Sequence, residues 1–374
     1  MSDLAGSSVL TKVSPALPVD WYFDPRIFEL EMELLFRRGP GYVGHELMVP
    51  ELGDYQVLDW LHGGGKMLVR NAEGVALMSN VCRHRQAIML KGRGNTRNTA
   101  DNIVCPFHRW TYDLNGSLLG APHFPGNPCL NLDRSALQSW HGMLFSGPRD
   151  VNEDLAGMST TTLQALDFTG YVYDKTVVTE YDFNWKTFIE VYLEDYHVVP
   201  YHPGLGHFVD CDQLRWEYGD WYSVQTVGVN SALAKPGSEV YRRWHEQVLR
   251  YREGRLPEHG AVWLTYYPNI MVEWYPHTLV VSHIVPTGVE SCLNVVEFYY
   301  PEDIALFEPE YKAAEQAAYF ETAREDDDIC YGMHRGRKAL WQQGLNQTGP
   351  YQSPMEDGMV HFHEWLRRQI EPHL

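Results

Sequence analysis

Residues 81–116 read VCRHRQAIMLKGRGNTRNTADNIVCPFHRWTYDLNG, and two short pieces of that stretch each couple one cysteine to one histidine. Cys82-x-His84 comes first, and after twenty intervening residues Cys105-x-x-His108 follows. Two thiolates and two imidazoles presented by paired loops are a metal-binding set. A structural zinc ion accepts that set, although zinc pairs more often keep two cysteines or two histidines together. A two-iron cluster in which two histidines replace two cysteines on one iron accepts it as well. Each loop must then reach both irons, which requires one residue of each kind per loop.

From about 41 to 148 the surrounding text is a series of β-type runs (YQVLDWL, KMLVRN, VALMSNV, NIVCPF, WTYDLNG, GMLFSG) punctuated by Gly, Asn and Pro. That pattern predicts a small all-β domain. The polar stretch RDVNEDLAGMSTTT marks its end. Ahead of it, DPRIFELEMELLFR (24–37) has helical spacing behind an Asp-Pro start. Behind it, GYVYDKTVVTEYDF reads as a strand and NWKTFIEVYLEDYHVV as a helix. WYSVQTVGV, AVWLTYYPNIMVEWY, TLVVSHIV and SCLNVVEFYY read as strands, and helical patterns over roughly 309–345 and 356–370 close the chain. Strands followed by helices, without regular βαβ alternation, predict an α+β fold. The expected division is an N-terminal segment 1–40, a β domain 41–150 and a larger domain 151–374.

Composition excludes several functions. The 374 residues are enough for two domains, and a formal net charge of −19 repels phosphate backbones, so nucleic acid is not expected as a partner. No run approaches the length of a membrane span. HGGGK at 62–66 lacks phosphate-loop spacing and no G-x-G-x-x-G occurs, so no dinucleotide is expected on this chain. The first residues lack signal-peptide order, and six scattered cysteines make no disulfide framework, which together point to a reducing cytoplasm. Aromatics at 13% suit a roomy apolar pocket or simply an aromatic-rich core.

A second cluster stands at 192–208, YLEDYHVVPYHPGLGHF, with three histidines within reach of two acids. His197 and His202 are five residues apart. On a regular α-helix that is about 140° of rotation, too much for one metal. The helix must therefore break or bulge between them, and Pro200 supplies a reason. His207 is an alternative to His202 in principle, but it follows Pro203 and Gly204.

The run CPFHRWTYDLNGSLLGAP resembles the second cluster loop of the Rieske oxygenases, and NWKTFIEVYLEDYHVVPYHPGL resembles their iron-binding helix. The chain is identified as a member of that family over nearly its whole length. The resemblance implies a Rieske [2Fe–2S] domain joined to a helix-grip catalytic domain, with Cys82, His84, Cys105 and His108 on the cluster. It implies a mononuclear Fe(II) held by His197, His202 and a downstream aspartate. AREDDDICYGMHRG (323–336) resembles the segment carrying that aspartate. Helical phase selects Asp326, which shares its face with Tyr319, Ala323, Cys330 and Met333, ahead of Asp327; Asp328 lies on a solvent-like face.

Glu194 occupies the family's acid position, implied to bridge His197 to a cluster histidine of the neighbouring subunit, whereas Asp195 reads as a solvated acid. Glu there resembles the subgroup acting on quaternary amines. Two other positions depart from the family, which often has Gly at position 86 and Asn at position 191, where this chain has Gln86 and Val191.

The implied activity is that of a terminal oxygenase. It takes electrons from a separate reductase, with or without a ferredoxin, and NAD(P)H enters only through that reductase. It activates O2 and hydroxylates, dihydroxylates or demethylates a small aromatic or amine substrate, in a ring that is usually a trimer. The competing reading is an electron-transfer or iron-binding protein without oxygenase activity.

Overall fold

The structure is a computed structural model that describes residues 15–61, 63–230 and 235–374. Two compact units emerge, one of Pro40–Asn152 and one combining the residues through Gly39 with Glu153–Leu374.

The smaller unit is built from short antiparallel strands. A five-stranded sheet runs in the order Arg93–Asn95, Asp54–Val57, Lys66–Asn71, Gly74–Ser79, Arg134–Ser135. A second sheet joins Ile103–Val104, Thr111–Tyr112 and Leu118–Gly120, and a third joins Tyr42–His45, Met143–Phe145 and Gln138–Trp140. Met67, Val69, Met78, Ile103, Trp110 and Tyr112 fill its core, and Cys82 and Cys105 lie among them.

The larger unit is a seven-stranded antiparallel sheet gripping helices. Its strands follow the order Tyr171–Tyr181, Ser291–Pro301, Thr278–Gly288, Ile270–Tyr275, Ala261–Tyr266, Tyr222–Val229, Val209–Tyr218. The run 261–275, read as one strand, is a hairpin of two. The α+β class holds, and the closing helices Pro309–Gln342 and Asp357–Ile370 fall close to where their periodicity placed them. In the 24–37 segment, Asp24 caps Pro25–Glu31 by accepting from the Arg26 N–H (2.8 Å), and a π-helical turn, Met32–Arg37, continues it. Strand Val209–Tyr218 and helix Glu239–Tyr251 have no counterpart in the sequence reading.

The helix expected over 184–199 ends early. Asn184 caps it by accepting from the Lys186 N–H (3.0 Å), and the helix spans only Trp185–Tyr192. Its buried face carries Glu190, fully enclosed, which accepts from the Tyr22 hydroxyl and from His363 Nε2 (2.9 Å). Glu190 also pairs with Arg337 of the long helix at 2.6 Å. Burial alone would raise the Glu190 carboxyl, but Arg337 and His363 outweigh it and hold it at about 2.

Removing one partner of such a pair leaves a buried charge uncompensated and costs roughly 3–5 kcal/mol. Arg337→Met is therefore expected to lower unfolding stability by about 3 kcal/mol in urea titrations at neutral pH. Glu190's pKa is depressed from 4.5, so its contribution is complete above that value and fades as pH falls towards about 2. The difference between the two proteins should shrink over that window.

Candidate metal centres and active-site cavity

The two Cys/His loops share one backbone plan. In the first, the Cys82 N–H donates to Ala87 O (2.9 Å) and the Gln86 N–H to Cys82 O (3.0 Å). In the second, the Cys105 N–H donates to Trp110 O (2.8 Å) and the Arg109 N–H to Cys105 O (3.1 Å). Gln86 and Arg109 occupy equivalent corners with φ of 55° and 61°. That left-handed region favours glycine, and both corners adopt it without one.

The four side chains separate by kind. Cys105 lies within hydrogen-bond reach of Cys82, and the rings of His84 and His108 sit 4.7 Å apart. Among the described residues, no three of the four bring ligand atoms within 4.8 Å of one another. A single zinc ion would hold all four within about 4 Å. A cluster with cysteines on one iron and histidines on the other needs the separation seen here. His84 Nδ1 is buried without a hydrogen-bond partner among the described residues, as a nitrogen reserved for a metal would be, and its ring stacks on Trp110 at 5.0 Å. Tyr112 accepts from the Arg83 N–H (3.1 Å) and its hydroxyl lies 3.6 Å from Cys82 Sγ, so it braces the first loop.

In the larger unit, His197 and His202 flank a single helical turn, Val198–Tyr201. The chain does not break between them, contrary to the expectation. The Tyr201 N–H donates to His197 O and the His202 N–H to Val198 O, both at 2.9 Å. The breaks lie outside the turn, after Tyr192 and at His202, whose φ and ψ of −104° and 89° leave the helix. Pro200 sits in the first turn, where its missing N–H has no intrahelical partner to lose.

Asp326 of the long helix completes a triad. His197 Nε2 and His202 Nε2 are 3.0 Å apart, and Asp326 Oδ1 lies 3.3 Å from the first and 3.0 Å from the second. His197 Nδ1 bonds Glu194, and His202 Nδ1 bonds Glu325 at 2.7 Å. A carboxylate only accepts, so both Nδ1 atoms carry the proton and both Nε2 atoms are bare. Three acceptors facing one another at that range repel unless a cation sits among them. Ligands about 2.1 Å from an ion and at right angles to each other stand about 3 Å apart, so the residues fit a facially bound metal.

The neighbouring candidates go elsewhere. Asp327 bonds the Tyr181 hydroxyl, Asp328 is exposed, and His207 Nδ1 turns to Pro203 O (2.7 Å). Glu194 also accepts from the His197 N–H (3.0 Å), so each of its oxygens is bound to the residue it supports. Asp195, expected to be solvated, is 1% exposed. It accepts from Gln225 Nε2, and burial pushes its carboxyl up to about 8. Glu325 and Gln225 were missed. For Glu325 a signal existed, an acid directly before the chosen aspartate; for Gln225 none did, because only strand pairing brings it here.

The triad opens on a cavity of about 830 Å³, counted to its open mouth. One wall is the sheet, through Gln225, Trp263, Glu273, Tyr275, Ser282 and Asn294. Opposite it the long helix presents Glu315, Tyr319, Thr322 and Asp326, all at one helical phase. Trp263, Glu273 and Tyr275 all come from the 261–275 hairpin, and Val191 stands nearby.

Residues 47–137 match the family described as the Rieske [2Fe-2S] domain, and 168–372 match the ring hydroxylating alpha subunit catalytic domain. The chain belongs to the Rieske non-haem iron oxygenases, as a catalytic α subunit. It is an enzyme that takes electrons from a separate reductase and uses a Rieske cluster and a mononuclear iron to oxygenate a small organic substrate with O2. Among curated relatives, a putrescine 2-hydroxylase of Ralstonia nicotianae is 60% identical, covering 99% of this chain and 100% of that one. Another from Bordetella bronchiseptica is 54% identical, covering 98% and 87%. In architecture the chain is similar to the quaternary ammonium Rieske monooxygenase CntA in complex with L-carnitine, with TM-score 0.77, 20% identity and 96% of each chain covered.

Outer partners that orient a ligating imidazole are worth about 10–100-fold in metal affinity. Glu325→Gln is expected to weaken mononuclear iron by at least about tenfold in chelator competition while the visible spectrum of the cluster stays unchanged.

Proposed function

We propose that Cys82 and Cys105 bind one iron of the cluster and His84 and His108 the other, that His197, His202 and Asp326 bind the mononuclear iron, and that the substrate is a small aliphatic amine hydroxylated at carbon. Iron(II) held in a two-histidine, one-carboxylate site supplies dioxygen activation. The chain's own groups hold the rest: Glu194 and Glu325 fix the imidazole tautomers, and the aromatic wall excludes water.

One observation carries the amine reading. The cavity beside the triad is lined by buried acids, Glu273 and Glu315, and no Lys, Arg or His comes within ion-pair distance of either among the described residues. Burial pushes Glu273 up to about 7 and Glu315 to about 8, so that a cation brought beside either would restore its charged form. A neutral aromatic hydrocarbon offers these carboxyls no partner of opposite charge; an ammonium group does. The putrescine hydroxylase relatives favour the same choice.

The test is a panel assay with a surrogate reductase. 1,4-Diaminobutane should give a product one oxygen heavier, and naphthalene none. Turnover of the hydrocarbon without turnover of any amine would reverse the substrate reading.

We further place the enzyme in the cytoplasm as a ring, most simply a trimer, served by a reductase with or without a ferredoxin. No helix among the described residues is long and apolar enough to cross a membrane. Glu194 keeps a second lone pair on each oxygen and can accept an imidazole N–H from His84 or His108 of the partner subunit. Glu194→Gln should leave assembly and both metals intact but slow reoxidation of the pre-reduced cluster by at least about tenfold in stopped-flow with substrate and O2. Wild-type reoxidation would move the bridge to another residue.

A further inference from the structure

The cavity offers hydrogen-bond acceptors in excess. Gln225 and Asn294 are 2% and 3% exposed, and Gln225 Oε1 and Asn294 Oδ1 have no partner among the described residues. The Gln225 amide is not free to turn, because its Nε2 donates to Asp195. Its oxygen is therefore the atom left over.

Glu273 stands at the other side of the same sheet face. Its Oε1 accepts from Ser282 and Tyr319 hydroxyls, both at 3.2 Å, and its Oε2 from the Tyr275 hydroxyl at 2.7 Å. Tyr275 in turn accepts from Trp263 Nε1 (3.0 Å), which fixes the orientation of the whole group. Four lone pairs minus three donors leaves Oε2 one site. Glu315 feels the charge of Lys175, whereas the charge that acts on Glu273 is the like charge of Asp326.

Strand register sets the spacing between the two. Gln225 pairs directly with Trp263, and Trp263 directly with Glu273. The three form one row across adjacent strands, with Trp263 in the middle. Two strand spacings separate the outer backbones by about 9.6 Å. The side chains converge from there into a cavity whose opposite wall carries Asp326.

We propose that this row is a two-ended seat for an unbranched primary diamine, with Glu273 taking one ammonium group, Gln225 Oε1 taking the other, and Trp263 lying under the carbon chain. The proposal rests on the amine reading above and sharpens it. A primary ammonium brings three N–H donors to a cavity short of donors. A quaternary ammonium brings none and would leave Gln225 and Asn294 unsatisfied, which costs affinity. Anchoring both ends also presents the middle of the chain, not its termini, to the triad.

The test compares 1,4-diaminobutane with 1-aminobutane, which lacks the second ammonium, and with choline. Wild-type kcat/KM should favour the diamine over the monoamine by at least about a hundredfold, because a site built for an N–H group rejects the analogue without it. Glu273→Gln should cut that ratio by at least about tenfold, chiefly through KM for the diamine, with iron content and cluster spectrum unchanged. If that variant does not fold, Glu273→Asp, shorter by one methylene, should move preference towards 1,5-diaminopentane.

A ratio unchanged in Glu273→Gln, or no shift in Glu273→Asp, overturns the seat while diamine turnover by the wild type leaves the amine reading standing. Preference for choline over the diamine overturns the seat as well. Failure of the wild type on every amine overturns both.

Discussion

Glu190 ties together the two pieces of chain that carry His197, His202 and Asp326, the side chains proposed to hold the mononuclear iron. It lies seven residues before His197, and its ion-pair partner Arg337 lies eleven residues after Asp326 on the long helix. Eleven residues are three turns, so Arg337 and Asp326 share a face about 16 Å apart along the axis. Tyr22 and His363 close the same knot from the N-terminal segment and the last helix. A buried ion pair is weak evidence of net stability, because desolvation consumes most of the attraction. Its value here is positional. Three acceptors separated by 3.0–3.3 Å tolerate little error, and they come from segments more than a hundred residues apart. Apolar packing of Trp185, Ile189, Phe362 and Trp365 supplies bulk burial around the knot, but does not by itself choose one register over the next.

What could be read from the sequence follows from which constraints are local. The proposed cluster residues stand out in the sequence because the chemistry demands particular side chains at short, fixed separations. Asp326 was legible because a helix has one phase, and its apolar neighbours Tyr319 and Ala323 do line the cavity with it. Helix Glu239–Tyr251 had a signal that went unused: Ser238 as cap, then Tyr241, Trp244, His245 and Val248 at helical spacing. Strand Val209–Tyr218 had none, since its register shifts between Asp210 and Arg215 and the alternation is broken there. Asp195 was misjudged because charge next to charge on a presumed helix reads as solvent-facing. The helix stops at Tyr192, and the turn that follows rotates Asp195 inward to Gln225. The binding row Gln225–Trp263–Glu273 belongs to three strands and exists only through their pairing.

Charge balance links the metal site to the cavity. Asp326, Glu194 and Glu325 bring three negative charges to the triad, one more than a divalent iron cancels. That surplus faces a cavity wall where Glu273 adds a further acid, and the low-dielectric surroundings make each uncompensated charge expensive. A neutral ligand would worsen the position by displacing the water that screens those charges. A monocation would cancel one of the two. A diamine sets one ammonium group against Glu273 and leaves the other to Gln225 Oε1 at the far end of the row. The same arithmetic explains why the acids stop short of the metal. Glu273 is held away by the Tyr275, Ser282 and Tyr319 hydroxyls, each of which would have to break its hydrogen bond before the carboxylate could swing towards His197 and His202. The hydroxyls keep the charge available to the cavity and deny it to the iron.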